Sequence, residues 1–184
     1  MKKKTHNCVF FYIYNMKKLI LYFVLFFVFV NINAQPASIS ARMSAQVIEV
    51  LTATEISQLN FGRFSPEIQG GKVILSPDGV RTTQGTVILG GGSHNSGEFY
   101  ITGEYEATFT IILPSGPALL TNTLNSKTMS VTDWQSIPSS GVGTGKLTGG
   151  SAIVQVGAVL NVGDMNANPV GVYTGIYAIT FSYN

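Results

Sequence analysis

Residues 151–161 read Ser-Ala-Ile-Val-Gln-Val-Gly-Ala-Val-Leu-Asn. Val154, Val156, Ala158 and Leu160 fall on alternate positions, the period of a β-strand with one face buried. The same period recurs in Ala107, Phe109, Ile111 and Leu113. At the C-terminus it sets Tyr173, Tyr177, Ile179, Phe181 and Tyr183 on one side and Thr174, Ala178, Thr180 and Ser182 on the other. No long amphipathic helix pattern appears. Short runs of this kind at 38–51, 58–63, 71–76, 83–89, 97–102, 106–113, 117–124, 127–134, 151–161 and 172–183 predict strands. Gly, Pro, Asn, Asp and Ser punctuate them, which argues for an antiparallel sandwich or barrel. Ser76-Pro77-Asp78-Gly79 is a strong turn signal, because Pro presets φ and Gly accepts positive φ. Gly90 to Gly97 reads as a connection, and Pro138 to Gly150 as a loop or a weak edge.

The first 35 residues follow a different logic. Lys17-Lys18 precede a 12-residue apolar run from Leu19 to Val30, and Asn31-Ile32-Asn33-Ala34 follow. A basic segment, a short apolar segment and a small residue are the parts of a secretory signal peptide. The run is short of the roughly 20 residues of a membrane span. Cleavage is expected after Ala34. Met16 opens a complete signal by itself, so residues 1–15 are either an upstream extension or a long basic region.

Export changes the composition that matters. Of the 11 basic residues, Lys2, Lys3, Lys4, Lys17 and Lys18 precede the cleavage point. All nine acidic residues follow it, so six basic residues stand against nine acidic ones and the formal charge is −3. That excludes a basic nucleic-acid binder. Cys8 and His6 are also lost, which excludes a disulfide scaffold and a thiolate metal site and leaves His94 alone. Cys8 lies upstream of the apolar run and cannot be a lipid-bearing cysteine at the cleavage site. With 45% hydrophobic residues and 11% aromatics, the chain is no disordered tail. Residues 35–184 suffice for a single domain that buries roughly 70% of its unfolded surface.

Five motifs invite a chemical reading. Gly141, Gly143, Gly145 and Lys146 suggest a phosphate cradle, but Ser140 and Leu147 break the pattern and no helix follows. Asp164, Asn166 and Asn168 resemble the start of a calcium loop, but Pro169 and Gly175 occupy positions that need Gly and Glu. His94 has no second histidine or cysteine to complete a base or a metal site. Glu104 and Glu106 flank Tyr105 without the contrast in environment that a glycosidase pair needs. Trp134 is either a core anchor or a platform for a sugar ring. None completes an active site, so the expectation is a non-catalytic protein without metal or cofactor.

Residues 36–51 admit two readings. Ile39, Ala41, Met43, Ala45 and Val47 alternate with Ser38, Ser40, Arg42, Ser44 and Gln46. The segment is either the first strand of its own sheet or a free strand that completes a neighbouring subunit.

Several stretches taken together resemble a known group of secreted bacterial proteins. They are Leu59-Asn60-Phe61-Gly62, Val73 to Gly79, Phe99 to Gly103, Ala107 to Pro114, Val156 to Gly163 and Gly171 to Gly175. Their combination resembles the family named domain of unknown function 4402. The resemblance implies an immunoglobulin-like, pilin-like β-sandwich related to fimbrial subunits and adhesins, and no enzymatic activity. The C-terminal strand also resembles the chaperone-recognition strand of chaperone–usher pilins. Tyr183 is penultimate, and Gly171 lies 13 residues before the last. The missing disulfide is a departure from many pilins. An edge strand of this kind binds by β-augmentation, with backbone hydrogen bonds and alternate side chains in pockets.

The resulting expectation is a secreted structural or adhesive subunit of a surface fimbria-like assembly. Its partner interface would comprise Ile39, Ala41, Met43, Ala45, Val47, Gly171, Tyr173, Tyr177, Ile179, Phe181 and Tyr183. Its partners would be further copies or a periplasmic chaperone and usher, with no nucleic acid and no membrane span after cleavage. The alternative is a monomeric, secreted, non-catalytic module for a surface glycan or protein.

Overall fold

A computed structural model describes residues 5–28 and 36–184. The expected cleavage point after Ala34 lies outside the described residues. Helix α1 spans Thr5–Val28 and runs without a break through Lys17-Lys18. Lys18 Nζ sits 4.7 Å from the centre of the Tyr14 ring. No described helix is long and apolar enough to cross a membrane. The chain divides into two units, Met1–Ala45 and Gln46–Asn184. All the strands lie in the second unit.

That unit is an all-β, antiparallel sandwich. Its strands are β1 (Thr52–Ser57), β2 (Phe64–Leu75), β3 (Arg81–Leu89), β4 (Gly97–Thr102), β5 (Thr108–Ile112) and β6 (Ala118–Asn122). They continue as β7 (Thr128–Ile137), β8 (Gly141–Lys146), β9 (Ser151–Val162), β10 (Tyr173–Thr174) and β11 (Thr180–Tyr183). Strand β9, with its apolar alternation, is the axis. Its first half pairs β4 through Gly97↔Val156 to Thr102↔Ser151. Its second half pairs β2 through Gly71↔Val162 to Leu75↔Ala158. β7 runs along the opposite side. Gly157 marks the handover between β4 and β2, where a Cβ would collide with the backbone of Leu75, Ser76 and Pro77. Only glycine permits that approach. β1 closes one end on β4, β3 pairs β2, and β6 and β10 extend beyond β7. A second sheet, β11-β5-β8, completes the sandwich.

Alternation places two apolar clusters inside. The first gathers Phe61, Val73, Leu75, Val87, Met129, Val131, Ala158, Leu160 and Val162. The second gathers Ile101, Phe109, Ile111, Leu147, Val154 and Val156. Phe99, Tyr177, Phe181 and Phe109 form a run of ring contacts with centroids about 6 Å apart, from 5.9 Å for Phe99–Phe181 to 6.4 Å for Phe99–Tyr177. Trp134 packs against both clusters.

The structure corrects the strand expectations at three places. Residues 38–50 carry no ladder, and Leu51 only begins to pack. Residues 58–63 form a loop held by the Asn60↔Asn95 bridge and by Arg81, whose guanidinium donates to the carbonyls of Phe61 (2.8 Å) and Gly90 (3.0 Å). Their apolar residues are anchors for a loop, not a strand face. The run 172–183 is two strands in two sheets, interrupted at 175–179. Period two survives the interruption: Tyr173, Tyr177, Ile179, Phe181 and Tyr183 are half-buried, and Thr174, Ala178, Thr180 and Ser182 are exposed. The glycine-rich stretch after Pro138, expected as a loop or a weak edge, contains the edge strand β8. The turn at Ser76 to Gly79 forms as expected, with Gly79 N–H donating to Ser76 O at 3.0 Å and Gly79 at φ 85°.

Candidate functional site

The residues expected to form a partner interface fall into two groups. Residues 36–50 are exposed and carry no ladder bonds. Ile39, Met43 and Val47 are exposed by 94%, 98% and 96%, and Ala41 and Ala45 are also exposed. Large apolar side chains left so open at every fourth position, with alanines between them, are uncommon in a finished monomer. Glu49 ties the end of this segment to the sandwich. Its N–H donates to Glu104 Oε2 (3.1 Å), and its carbonyl accepts from Tyr183 Oη (3.0 Å). The same hydroxyl accepts from Glu104 N–H at 2.6 Å. One phenol thus joins the C-terminal strand, the turn after β4 and the base of the N-terminal segment.

The second group is divided. Tyr177, Ile179, Phe181 and Tyr183 pack on the second cluster. Among the described residues β11 pairs only β5, which leaves its other edge without a ladder partner, and residues 175–179 carry no ladder bond. Tyr173 belongs instead to the first cluster, on β10, with its hydroxyl donating to Pro169 O at 2.8 Å. Gly171 is an exposed loop residue packed on Asn122. The structure does not bring Gly171 and Tyr173 to the edge formed by Tyr177 to Tyr183.

Tyr177 has an unusual environment. Its ring stacks on Trp134 with centroids 4.8 Å apart and an interplanar angle of 26°. Its hydroxyl is buried against Gly97 and has no hydrogen-bond partner among the described residues. Burial, with Glu55 as a smaller contribution, pushes its pKa up to about 12.

The other motifs have structural occupations. Gly141 to Lys146 form β8, with Gly145 against the Phe109 ring. Lys146 Nζ lies 2.6 Å from Glu106 Oε2, and that hydrogen bond, followed by the one from Gly149 N–H, holds the Glu106 carboxyl below its usual range. Glu104 and Glu106 lie in a turn, where Glu104 serves Glu49. One oxygen of each of Asp164 and Asn168 serves backbone: Asp164 Oδ1 accepts from Asn166 and Ala167 N–H, and Asn168 Oδ1 accepts from Gly163 N–H at 2.5 Å. His94 is an exposed loop residue. Among the described residues, no three His, Cys, Asp or Glu side chains assemble into a metal-binding group.

One feature was not legible in the linear pattern. A cleft of about 690 Å³ opens beside Trp134, between 110–117, 132–134 and 140–142. Its one advance signal was the single tryptophan.

These elements define an antiparallel all-β sandwich domain with an open C-terminal edge and an unpaired apolar N-terminal segment. The chain belongs to the family described as "Domain of unknown function (DUF4402)", whose model matches residues 51–183. No curated protein and no solved structure matches it. The family match starts at Leu51, so the exposed segment 36–50 lies outside it.

Proposed function

We propose that this chain is a secreted, non-catalytic structural or adhesive subunit of a bacterial surface fimbria-like assembly, whose copies join by β-strand addition. The observation that carries the proposal is the segment 36–50, which is ladder-free, with Ile39, Met43 and Val47 almost wholly exposed. Burying three such side chains is worth about 1.5–3 kcal/mol each before ordering costs. The open edge of β11, continued by 175–179, is the receiving edge in this reading. Strand addition would supply backbone hydrogen bonds there, and alternate side chains would reach the aromatic residues of the second cluster. Until a neighbour arrives, such an edge promotes aggregation, so a periplasmic chaperone is the matching partner. Export rests on the Lys17-Lys18 and Leu19 to Val30 pattern.

Light scattering on the secreted protein tests the reading, beside a variant carrying Met43→Asp and Val47→Asp. The native chain should form ladders or polymers, and the charged variant should remain monomeric. A peptide of residues 36–48 should cap native polymers. A native chain that stays monomeric at high concentration would sink the proposal.

A further inference from the structure

The cleft beside Trp134 is built by an irregularity in β7. In a regular strand, neighbouring side chains point to opposite faces. Here Thr132 pairs Val159 and Gln135 pairs Gly157, so β7 carries one extra residue opposite β9. That is a β-bulge, and bulges re-aim side chains. The backbone at Asp133 takes φ 52°, in the left-handed region, where Asp is among the few tolerated side chains. As a result Thr132, Asp133 and Trp134 all line one cleft. A carboxylate and an indole converge there that a straight strand would separate.

The indole is fixed before any ligand arrives. Tyr177 covers one face, and Nε1–H donates to Gly116 O at 3.3 Å on the opposite wall. Asp133 is exposed, and its only hydrogen bond among the described residues is a weak one of 3.3 Å from Thr132 Oγ1. Around them lie the hydroxyl residues Ser115 and Ser140 and the apolar residues Ile112, Pro114 and Val142. Among the described residues that line the cleft, Asp133 alone is charged.

We propose that this cleft binds a neutral oligosaccharide, with a sugar ring packed on Trp134 and vicinal hydroxyls donating to the Asp133 carboxylate. A sugar presents an apolar C–H face and a rim of hydroxyls, which matches a fixed indole beside a strong acceptor. Phosphorylated or acidic sugars are disfavoured, because the cleft offers a carboxylate and no cation. A small organic cation is also a poor match: a cage needs several aromatic walls, and the volume of about 690 Å³ suits a larger neutral ligand. The cleft adjoins the edge invoked for subunit joining through Tyr177, which stacks on Trp134; the two proposals have different readouts, sugar binding and oligomeric state, so either can fail while the other stands.

The test titrates the full chain with cellotriose, maltotriose and chitotriose, and with choline and glucose 6-phosphate as competitors of other chemistry. Calorimetry gives the affinity, and fluorescence of Trp134, the only tryptophan, reports the location. At least one trisaccharide should bind at about millimolar Kd or tighter and change the emission. Asp133→Asn tolerates the same backbone and should weaken binding by about tenfold or more, with an unchanged melting temperature. Trp134→Phe keeps a ring on Tyr177 and should also weaken binding. No heat with any of the three sugars, tighter binding of choline or the phosphate, or full affinity in a folded Asp133→Asn variant would each overturn the proposal.

Discussion

Replacing Tyr177 by Phe removes one oxygen and nothing else, and the structure states what that oxygen does. It is buried against Gly97 with no partner among the described residues. A hydrogen-bonded hydroxyl contributes about 0.5–1.5 kcal/mol, but an unpaired buried one is a cost. Tyr177→Phe should therefore leave stability unchanged at pH 7 or raise it by up to about 1 kcal/mol. The alkaline limb gives a second, independent number. The phenol ionises near 10 when unfolded and near 12 when folded, so below pH 10 both states hold the proton and no pH-dependent contribution arises. Between pH 10 and 12 the unfolded chain releases its proton while the folded chain keeps it. Stability then falls as pH rises. Two units correspond to about 2.7 kcal/mol, and solvent screening at a half-buried ring reduces this to about 1–2 kcal/mol. Urea unfolding followed by Trp134 fluorescence, at pH 7 and across pH 10–12, measures both. The native chain should lose about 1–2 kcal/mol more than the variant on the alkaline limb. A variant destabilised by more than about 1 kcal/mol at pH 7 would refute the unpaired hydroxyl. Parallel alkaline curves for the two proteins would refute the burial argument.

Three further substitutions probe the frame. Phe109→Ala empties the fully buried centre of the second cluster and should cost about 3–5 kcal/mol by urea unfolding. Gly157→Ala drives a methyl into the backbone at Leu75 to Pro77; backbone cannot swing aside, so a loss of about 3 kcal/mol is expected, seen as a lower melting temperature. Tyr183→Phe removes the acceptor of Glu104 N–H and the donor to Glu49 O. It should cost about 1–3 kcal/mol and speed hydrogen exchange at the Glu104 amide; unchanged exchange would contradict the bridge.

The sheet was legible where burial has a period. β9, β5 and the two C-terminal strands announce themselves because every second side chain enters a cluster, and that pattern is local in sequence. The turn at Ser76 to Gly79 was legible for the same reason, since its residues carry their own backbone preferences. Pairing is not local. Nothing in 172–183 reveals that Tyr173 joins β6 while Phe181 joins β5, because both sheets accept the same alternation. β8 is legible only as a loop or a weak edge, because three glycines carry no face to alternate. Its place in the sheet comes from the Phe109 ring, which lies on Gly145 and needs the missing side chain.

The same distinction separates the two proposed sites. Segment 36–50 shows its apolar alternation in the sequence, but alternation alone describes an internal strand and a donated one equally well. What separates them is whether a face is covered, and that is a property of the folded chain: Ile39, Met43 and Val47 stay exposed while the equally alternating Phe109 and Ile111 vanish into the core. The cleft is the opposite case. Asp133-Trp134 looks like an outward carboxylate followed by an inward ring, and in a straight strand it would be. One extra residue in β7 turns both into the same space, and that residue is visible only against the register of β9. A sequence pattern therefore points toward a surface where periodicity is broken by exposure, and hides one where exposure follows from a broken register.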